Sequence, residues 1–511
     1  MRFIAPGGAS GLMGIVHKAT FLTVFEVDET EPVDLDWTTR PVNEYTKSDD
    51  VFRPEFLKAA LPRAHAHHLL PYYYSTGTLR PVWKLYEDTH SAFLQSLVVD
   101  KKVASKLTHP LRGWRIAVKD NFQIQRIRTS AYNRAYFELY PPDSRAAVCI
   151  QKLYDAGATI VGTTKLASFA ATEEPMECVD WPAPFNPRAD GYQSPAGSSS
   201  GSGMAVAAYG WLDVTVGSDT SESGRRPGHW NGCFAMRPSN GYLSQERLPS
   251  SFPSRTDCCQ LLLSIVYAAD YMDMIRNAPQ RELLDAFVAD LEKTFGVKHE
   301  KVSFEEIWKT NPPSQANGAS LLTYMKDASR DSFFYEGYHN FAAFRQDYKT
   351  KFGKDAYISP PVRRQWELSS HISASSHAEA MLKVEVCKTW FEEVITKPSK
   401  QNTLVFIPIE EIAPRYRDEM PTAHFNPVGV PNLFLSPILK APELTVPIGE
   451  VAYSSKVSDN EEKLPVAVSV IGPPGQDLFL FDLVMKCPQN SNRPDRVLAG
   501  RKLFPDAESI E

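Results

Sequence analysis

The sequence predicts an α/β fold in which helices cover a largely mixed or parallel β-sheet. From about residue 110 onward, short apolar strands alternate with amphipathic helices, which is the pattern of a covered sheet. The composition, 43% apolar and 23% charged, is that of an ordinary soluble globular protein. A chain of 511 residues is long enough to bury one large core or two ordinary ones.

The first 80 residues predict a small α+β extension that precedes a main domain over residues 81–511. Residues 20–45 alternate apolar and polar positions before reaching turn-forming residues, which predicts one or two strands. A helical piece is expected around residues 56–66. Two roles stay open for this extension: part of a homodimer interface, or a cap over an active site.

The main domain begins with a strand in "GWRIAVKDNF", residues 113–122, that ends in a turn. Asp143 is predicted to cap a helix that Gly157 closes, and a strand follows at residues 158–162. A helix of small residues is expected over residues 202–210, where close packing inside a core favours small side chains.

Longer elements are predicted in the second half of the chain. Helices are expected over residues 280–295, with Gly296 as the stop, and over about residues 376–396. Strands are expected at "TLVFIPI", "ELTVPIGEVAY" and "LPVAVSVIG". The aromatic stretch 331–348 leaves two interpretations open, an apolar acyl channel or, as the favoured one, a packed helix face.

Several classes of protein are excluded or disfavoured by charge and composition. The net charge is −6 and no block of Lys and Arg occurs, so the sequence offers no basic surface for nucleic acid. No apolar run reaches membrane-spanning length. The N-terminus is a poor secretory signal, so a cytoplasmic protein is expected. Seven scattered cysteines, including adjacent Cys258 and Cys259, are interpreted as free thiols. His65, His67 and His68 lack neighbouring ligands, so no metal site is predicted.

Three segments carry residues suited to catalysis: Lys119 at a strand end, "SPAGSSSGSG" at 194–203 and "GSDTSES" at 217–223. Residues 197–201 satisfy the G-x-S-x-G pattern literally. A nucleophile elbow needs a strand directly before the serine, and the polar, proline-containing residues here do not supply one. The loop is not a phosphate-binding loop either, because no Gly-Lys-Ser/Thr follows.

The spacing of these segments resembles that of the amidase signature family. Residues 197–227, "GSSSGSGMAVAAYGWLDVTVGSDTSESGRRP", align without a gap on the family pattern GGSSGGSxxxVAAGxxxxxxGTDTGGSxRxP. "GWRIAVKDNF", "DAGATIVGTTKLASFA", "NGCFAMRPSNG" and "LPVAVSVIGPPGQDLFLFDLV" resemble further family segments. The resemblance covers about residues 90–490 and implies the amidase signature fold, a large twisted mixed sheet with helices on both faces.

The resemblance implies a Ser-Ser-Lys triad for this chain. Lys119 falls on the family's base, Ser199 on its bridging serine and Ser223 on its nucleophile, with a cis peptide bond expected at Ser198–Ser199. A lysine that loses its charge on burial activates a serine hydroxyl, which is otherwise a weak nucleophile. The amides of Thr220, Ser221, Glu222 and Ser223 are implied to form the oxyanion hole. Supporting roles fall on Ser200, Asp219 and Arg225, where Asp219–Arg225 also fits a buried ion pair that shapes the loop.

One departure from the family pattern bears on the reaction: Ser221 and Glu222 stand where the family has two glycines. A carboxylate at residue 222 repels a developing oxyanion unless it points away or pairs with Arg226 or with a cationic substrate. A glutamate with positive φ would also be strained.

These observations predict an amidase that acts on a linear carboxamide or ester of a small molecule through a seryl acyl-enzyme, without cofactor or metal. Two alternatives stay open: an amide-forming acyltransferase, and a catalytically impaired binding protein. The tRNA-dependent amidotransferase subunit of the same family is disfavoured by the acidic charge balance, the extension and the altered glycines.

Overall fold

The computed structural model describes most of the chain beyond residue 86 and short strands before it. The described residues are 20–27, 43, 60–64, 69–75, 78–81, 86–99, 109–241, 243, 262–422, 424–491 and 493–505. The three close histidines and the Cys258–Cys259 pair lie outside these residues.

Fourteen strands occur in the described part of the chain. They are β1 (Thr20–Val27), β2 (Ala60–Ala64), β3 (Leu69–Ser75), β4 (Thr78–Pro81), β5 (Phe93–Val99), β6 (Arg115–Lys119), β7 (Thr159–Thr164), β8 (Val214–Val216), β9 (Ala235–Arg237), β10 (Leu262–Ala268), β11 (His299–Val302), β12 (Gln401–Pro408), β13 (Glu443–Ser454) and β14 (Glu461–Ile471).

Fourteen α-helices occur in the same part of the chain. They are α1 (Arg134–Leu139), α2 (Val148–Asp155), α3 (Ser200–Ala208), α4 (Arg225–Trp230), α5 (Ala269–Met272), α6 (Ala278–Phe295), α7 (Phe304–Thr310), α8 (Leu321–Met325), α9 (Ala328–His339), α10 (Ala342–Phe352), α11 (Pro360–Ser370), α12 (Ala374–Trp390), α13 (Leu435–Leu439) and α14 (Asp477–Ser491). A π-helical segment, Phe391–Thr396, continues α12.

The chain divides into two compact units. The smaller one comprises residues 1–87, 96–116 and 152–162, and the larger one comprises residues 88–95, 117–151 and 163–511. All candidate catalytic residues belong to the larger unit. The predicted domain boundary at residue 80 stays a prediction.

The smaller unit contains a four-stranded sheet in the order β2-β1-β3-β4. Strand β1 confirms the strand expected near residue 20. The helix expected at 56–66 is wrong, because β2 pairs in parallel with β1, with Leu61 opposite Val24. Strand pairing overrides the local helix propensity here, and Pro62 is tolerated because β2 lies at the sheet edge.

The larger unit is built on a six-stranded mixed sheet in the order β11-β10-β12-β14-β13-β9. Strand β10 pairs in parallel with β11 and β12, whereas β14 pairs antiparallel with both β12 and β13. The α/β class and the mixed sheet are confirmed, although the strands of the chain are distributed over three sheets. The third sheet has the order β5-β7-β6-β8.

Helices cover both faces of the six-stranded sheet. Successive residues of a strand point to opposite faces, so neighbouring residues pack against different helices. On β12, Phe406 packs in a cluster with residues of α6 and α14, whereas its neighbour Val405 packs in a second cluster with residues of α7 and α12. The near-continuous apolar sequence of β12 follows from this two-sided burial.

The predicted helices of the larger unit occur close to their expected bounds. Helix α6 ends at Gly296, whose φ of 66° suits a left-handed cap. Helix α12 with its π-helical continuation spans 374–396, and α3 covers the small-residue segment. The aromatic stretch lies on α9 and α10, where Phe344 and Tyr348 are buried among other rings, which supports the packed helix face.

The predicted cap at Asp143 is wrong. Helix α2 begins at Val148. The Asp143 carboxylate instead accepts a hydrogen bond from the Thr129 hydroxyl at 2.8 Å, and its backbone bonds to Arg126 and Ile127. These bonds hold the preceding loop, so the carboxylate is not available to the helix.

In the described residues, no helix combines the length and the apolar character that a bilayer crossing needs.

Candidate active site

Lys119 lies at the end of β6, and its side chain is completely buried. Its Nζ atom lies 2.8 Å from the Oγ of Ser198, 2.9 Å from the Oγ of Ser199 and 2.8 Å from the Oγ of Ser218. The predicted base and the predicted bridging serine are therefore in direct contact.

Burial lowers the pKa of Lys119 to about 7, although the negative charge of Asp219 acts in the opposite direction. The ammonium form loses its hydration in this position, and the neutral hydroxyls around it replace that hydration only in part. A lysine amine of this kind is partly uncharged at neutral pH and is able to accept a proton.

Ser199 stands immediately before helix α3, between Lys119 and the loop that carries Ser223. Its hydroxyl donates to the Ser218 carbonyl at 3.0 Å, and its backbone amide donates to the Ser223 carbonyl at 2.9 Å. This backbone hydrogen bond links the serine loop, residues 194–203, to the loop 217–223. No hydrogen bond joins the two side-chain hydroxyls of Ser199 and Ser223 in the described structure.

A cis peptide bond occurs in the serine loop, between Gly197 and Ser198. The bond expected to be cis was Ser198–Ser199, one residue later, so that expectation is wrong.

The loop 217–223 leaves its backbone amides available. Within the described part of the chain, the amides of Thr220, Ser221, Glu222 and Ser223 donate to no protein acceptor, whereas the next two amides, of Gly224 and Arg225, donate to Asp219. Unpaired amides that precede a serine are the donors that an oxyanion hole requires. Ser223 itself is buried, with 7% of its surface exposed.

Asp219 and Arg225 form a buried ion pair that shapes this loop. Arg225 Nη2 lies 2.8 Å from Asp219 Oδ1, and its Nη1 lies 2.6 Å from Glu443 Oε2 on β13. Burial alone would raise the pKa of Asp219, but Arg225 holds it well below the usual range. The pair therefore stays charged and fixes the Ser223 loop to the six-stranded sheet.

Glu222 is buried, and its side chain is directed to Arg226. Its Oε1 lies 3.8 Å from Arg226 Nη1 and accepts a 3.3 Å hydrogen bond from Thr172 Oγ1. Burial raises the pKa of Glu222, and Arg226 offsets this in part. Neither Ser221 nor Glu222 is among the described residues with positive φ, so the backbone does not require the family's glycines.

Arg226 is shared by three carboxylates. Besides Glu222, its guanidinium contacts Glu174 at 3.3 Å and Glu410 at 2.9 Å, and Arg415 contacts the same two glutamates at 3.1 and 2.5 Å. Three acidic and two basic side chains thus form a network beside the nucleophile. The sequence indicated the Glu222–Arg226 contact, since the two residues are four apart.

Ser200 begins α3 and is buried. Sequence reasoning missed Ser198, Ser218 and Asn121, which surround the Lys119 amine directly or through Ser218. Ser198 and Ser218 lie in the two segments that carry the predicted catalytic serines, so the sequence contained a signal for their proximity to Lys119.

Among the described residues, no group of three His, Cys, Asp or Glu has a geometry suited to a metal ion.

Comparison with known proteins agrees with the resemblance. The family model described as Amidase matches residues 80–262. A glutamyl-tRNA(Gln) amidotransferase subunit from Haloarcula marismortui is 26% identical over 425 residues, which cover 74% of this chain and 95% of that protein. Amidase 1 of Arabidopsis thaliana is 25% identical over 428 residues, covering 77% of this chain and 96% of that protein.

Solved structures share the fold. The corresponding glutamyl-tRNA(Gln) amidotransferase subunit from Thermotoga maritima superposes with a TM-score of 0.56 at 19% identity, covering 82% of this chain and 90% of that one. Allophanate hydrolase of Kluyveromyces lactis superposes with a TM-score of 0.58 at 17% identity, covering 79% of this chain and 68% of that one.

Residues 80–262 thus match the amidase family model, and amidases and amidotransferase subunits are similar to this chain over about three quarters of its length.

Proposed function

We propose that the protein hydrolyses linear carboxamides of small molecules through an acyl-enzyme on Ser223. The observation that carries the proposal is the contact between the Lys119 amine and the Ser199 hydroxyl at 2.9 Å. The pKa of this amine, lowered by burial to about 7, suits a general base at neutral pH.

In the proposed first step, Ser199 relays a proton from Ser223 to Lys119. The Ser199 hydroxyl gives its proton to the Lys119 Nζ and takes the proton of the Ser223 hydroxyl, while the Ser223 oxygen attacks the amide carbon. The new C–O bond leaves a negative charge on the former carbonyl oxygen. Amides of residues 220–223, which have no protein acceptor in the described structure, are proposed to stabilise that charge.

The second step reverses the relay. The Lys119 ammonium returns its proton through Ser199 to the departing amine nitrogen, the C–N bond breaks, and the acyl group stays on Ser223. Water then attacks the ester with the same base, which releases the acid and restores the Ser223 hydroxyl. Asp219 and Arg225 act by holding the loop rather than by touching the substrate, and Ser200 is proposed to support the serine loop.

A fluorophosphonate probe tests the proposal, because it forms a covalent bond with an activated serine whatever the natural substrate. Wild-type protein is expected to be labelled at Ser223, as identified by peptide mass spectrometry. Ser223→Ala is expected to abolish the labelling. Ser202→Ala removes another buried hydroxyl of the same region, bonded to Thr164, and serves as the matched control. A correctly folded wild-type protein that stays unlabelled would refute the proposal.

A glutaminase is a second candidate, favoured by the names of two relatives that match most of the chain, both glutamyl-tRNA(Gln) amidotransferase subunits. A substrate panel of linear carboxamides that includes glutamine separates the two. Release of ammonia from glutamine above the rate with the other amides would favour the glutaminase.

We also propose a cytoplasmic location and allow for a homodimer. Five cysteines in the described residues are free thiols, Cys149, Cys178, Cys233, Cys387 and Cys487, which suits a reducing compartment. Cell fractionation tests the location, and sedimentation velocity tests the dimer.

A further inference from the structure

Glu222 carries a carboxylate on the loop whose amides are proposed to hold the oxyanion, directly before the proposed nucleophile Ser223. It is buried, and it makes a 3.8 Å ion pair with Arg226 Nη1 and accepts a 3.3 Å hydrogen bond from Thr172 Oγ1. Both contacts are longer than charge-assisted hydrogen bonds, which measure about 2.5–2.9 Å. The protein therefore compensates the negative charge of Glu222 only weakly.

Arg226 cannot compensate Glu222 fully, because two other glutamates hold its guanidinium at shorter distances. Arg226 Nε lies 2.9 Å from Glu410 Oε2, and its Nη2 lies 3.3 Å from Glu174 Oε1. Arg415 contacts the same two glutamates at 3.1 and 2.5 Å. The network thus sets three carboxylates against two guanidinium groups, and Glu222 has the longest ion pair in it.

The proposed reaction adds a second negative charge beside this carboxylate, because the amide of Glu222 is one of the proposed donors to the oxyanion. Like charges repel strongly where little water screens them. The neighbouring arginine of the loop, Arg225, is already paired with Asp219 at 2.8 Å and with Glu443 at 2.6 Å. A positive charge on the substrate would offset both negative charges at once.

The acyl part of the substrate is a better carrier of that positive charge than the departing amine. In the proposed reaction the oxyanion forms twice, first when Ser223 attacks the amide and again when water attacks the ester. The amine has left before the second attack, whereas the acyl part is present both times. A cation in the acyl part therefore stabilises both transition states.

We propose that Glu222 is a specificity residue that binds a positively charged group, an ammonium or a guanidinium, in the acyl part of the substrate. The inference rests on the proposed function, since it needs acylation of Ser223 and an oxyanion held by the amides of residues 220–223. Burial raises the pKa of Glu222, and Arg226 acts against this rise. A cation beside the carboxylate favours its ionised form, so the charge of Glu222 and the binding of the cation support each other.

Two fluorophosphonates of equal size test the inference without a known substrate. One carries a trimethylammonium group at the end of a short alkyl chain on phosphorus, and the other carries a neutral tert-butyl group at the same place. Both probes need the same base and the same nucleophile, so the ratio of their Ser223 labelling rates isolates the effect of the charge. Pairs with a series of chain lengths are compared.

For wild-type protein at alkaline pH and low ionic strength, the cationic probe of the best pair is expected to label at least about tenfold faster than the neutral one. Added salt is expected to reduce this ratio, because it screens the attraction between the probe and the carboxylate.

Variants assign the preference to one carboxylate. Glu222→Gln keeps the shape and removes the charge, so the ratio is expected to fall to about one while the neutral probe labels no more slowly than with wild type. Glu222→Asp keeps the charge and is expected to retain part of the preference. Glu174→Gln, the matched control, removes a carboxylate from the same network and is expected to keep the wild-type ratio. Circular dichroism checks that each variant folds.

The outcomes separate this inference from the proposed function. Folded wild-type protein that neither probe labels would refute the proposed function. Equal labelling of wild type by both probes, or an unchanged ratio in Glu222→Gln, would overturn the inference and leave the proposed function standing. A ratio that falls as far in Glu174→Gln as in Glu222→Gln would also overturn it, because the preference would then come from the charge of the whole network. The wild-type ratio needs no variant, so it tests the inference even if a substituted protein does not fold.

Discussion

The Nζ atom of Lys119 lies 2.9 Å from the Oγ of Ser199, and both atoms are buried. These residues are 80 positions apart, one at the end of β6 and the other just before α3. Burial does two things at this contact: it fixes the distance and it lowers the pKa of the amine. The same desolvation that costs folding energy thus supplies the base for the proposed reaction.

The first prediction concerns pH. The pKa of Lys119 is about 7, so the amine is protonated below that value and free to accept a proton above it. The rate of Ser223 labelling is expected to rise with pH through about 7 and then to level off. Stopped-time labelling in buffers of constant ionic strength measures this profile.

Lys119→Met is the control for the pH profile, since it removes the base and keeps an unbranched side chain. It is expected to lower labelling by at least about a hundredfold. A wild-type rate that does not change between about pH 5.5 and 8.5 would contradict Lys119 as the base, because the pKa of this amine lies between those values.

The second prediction concerns Glu222. Its carboxylate adjoins the amides proposed to stabilise the oxyanion, and burial raises its pKa. Above that pKa, its negative charge opposes the developing charge on the substrate. Glu222→Gln keeps the shape and removes the charge, so labelling is expected to increase by about two- to fivefold at the alkaline end and to change little at the acidic end.

Glu174→Gln is the matched control for Glu222, because Glu174 contacts Arg226 in the same network but does not adjoin Ser223 in sequence. It is expected to change labelling less than Glu222→Gln does. If Glu222→Gln is instead more than about tenfold slower, the carboxylate assists the reaction rather than opposing it.

The sequence was sufficient for the residues whose spacing along the chain is fixed by short segments. Ser199 and Ser223 belong to one gapless stretch, and Lys119 ends a strand with its own pattern. The structure brings Lys119 and Ser199 into contact at 2.9 Å, whereas the catalytic roles of the three residues stay predictions. The network beyond Glu222 was not predictable in the same way. Glu410 and Arg415 come from a distant loop, and only the tertiary fold brings them to Arg226.

Two local predictions failed for a related reason. The helix expected at 56–66 became a strand because residues 60–64 pair with β1, and the cap expected at Asp143 was lost because loop groups use its hydrogen bonds. Local propensity is a weak prior where a partner elsewhere in the chain satisfies the same groups.

The third prediction concerns the ion pair below the Ser223 loop. Arg225 is completely buried and contacts both Asp219 and Glu443. Arg225→Ala removes the nearest cationic partner of two buried carboxylates and leaves Asp219 only the longer 3.9 Å contact with Arg237, so a loss of about 3–5 kcal/mol in the free energy of unfolding is expected. Lys309→Ala breaks an exposed pair with Glu306 and is expected to cost less than about 1 kcal/mol. Thermal unfolding compares the two, and equal shifts would contradict a structural role for Arg225.

The fourth prediction tests the space beside the relay serine. A Cβ atom on Gly217 would lie 2.9 Å from Ser199 Oγ, closer than real Cβ atoms approach, and 3.1 Å from Ser199 Cβ, which is tighter than most Cβ contacts. Gly217→Ala is therefore expected to displace the Ser199 hydroxyl from Lys119 and to slow Ser223 labelling by more than about tenfold. Gly337→Ala on α9 is the matched control, since a Cβ there meets no atom within 4 Å. It is expected to stabilise the helix by about 0.5–1 kcal/mol and to leave labelling unchanged. If Gly217→Ala labels as fast as Gly337→Ala, the Ser199 hydroxyl does not need its observed position, and a relay through that atom is ruled out.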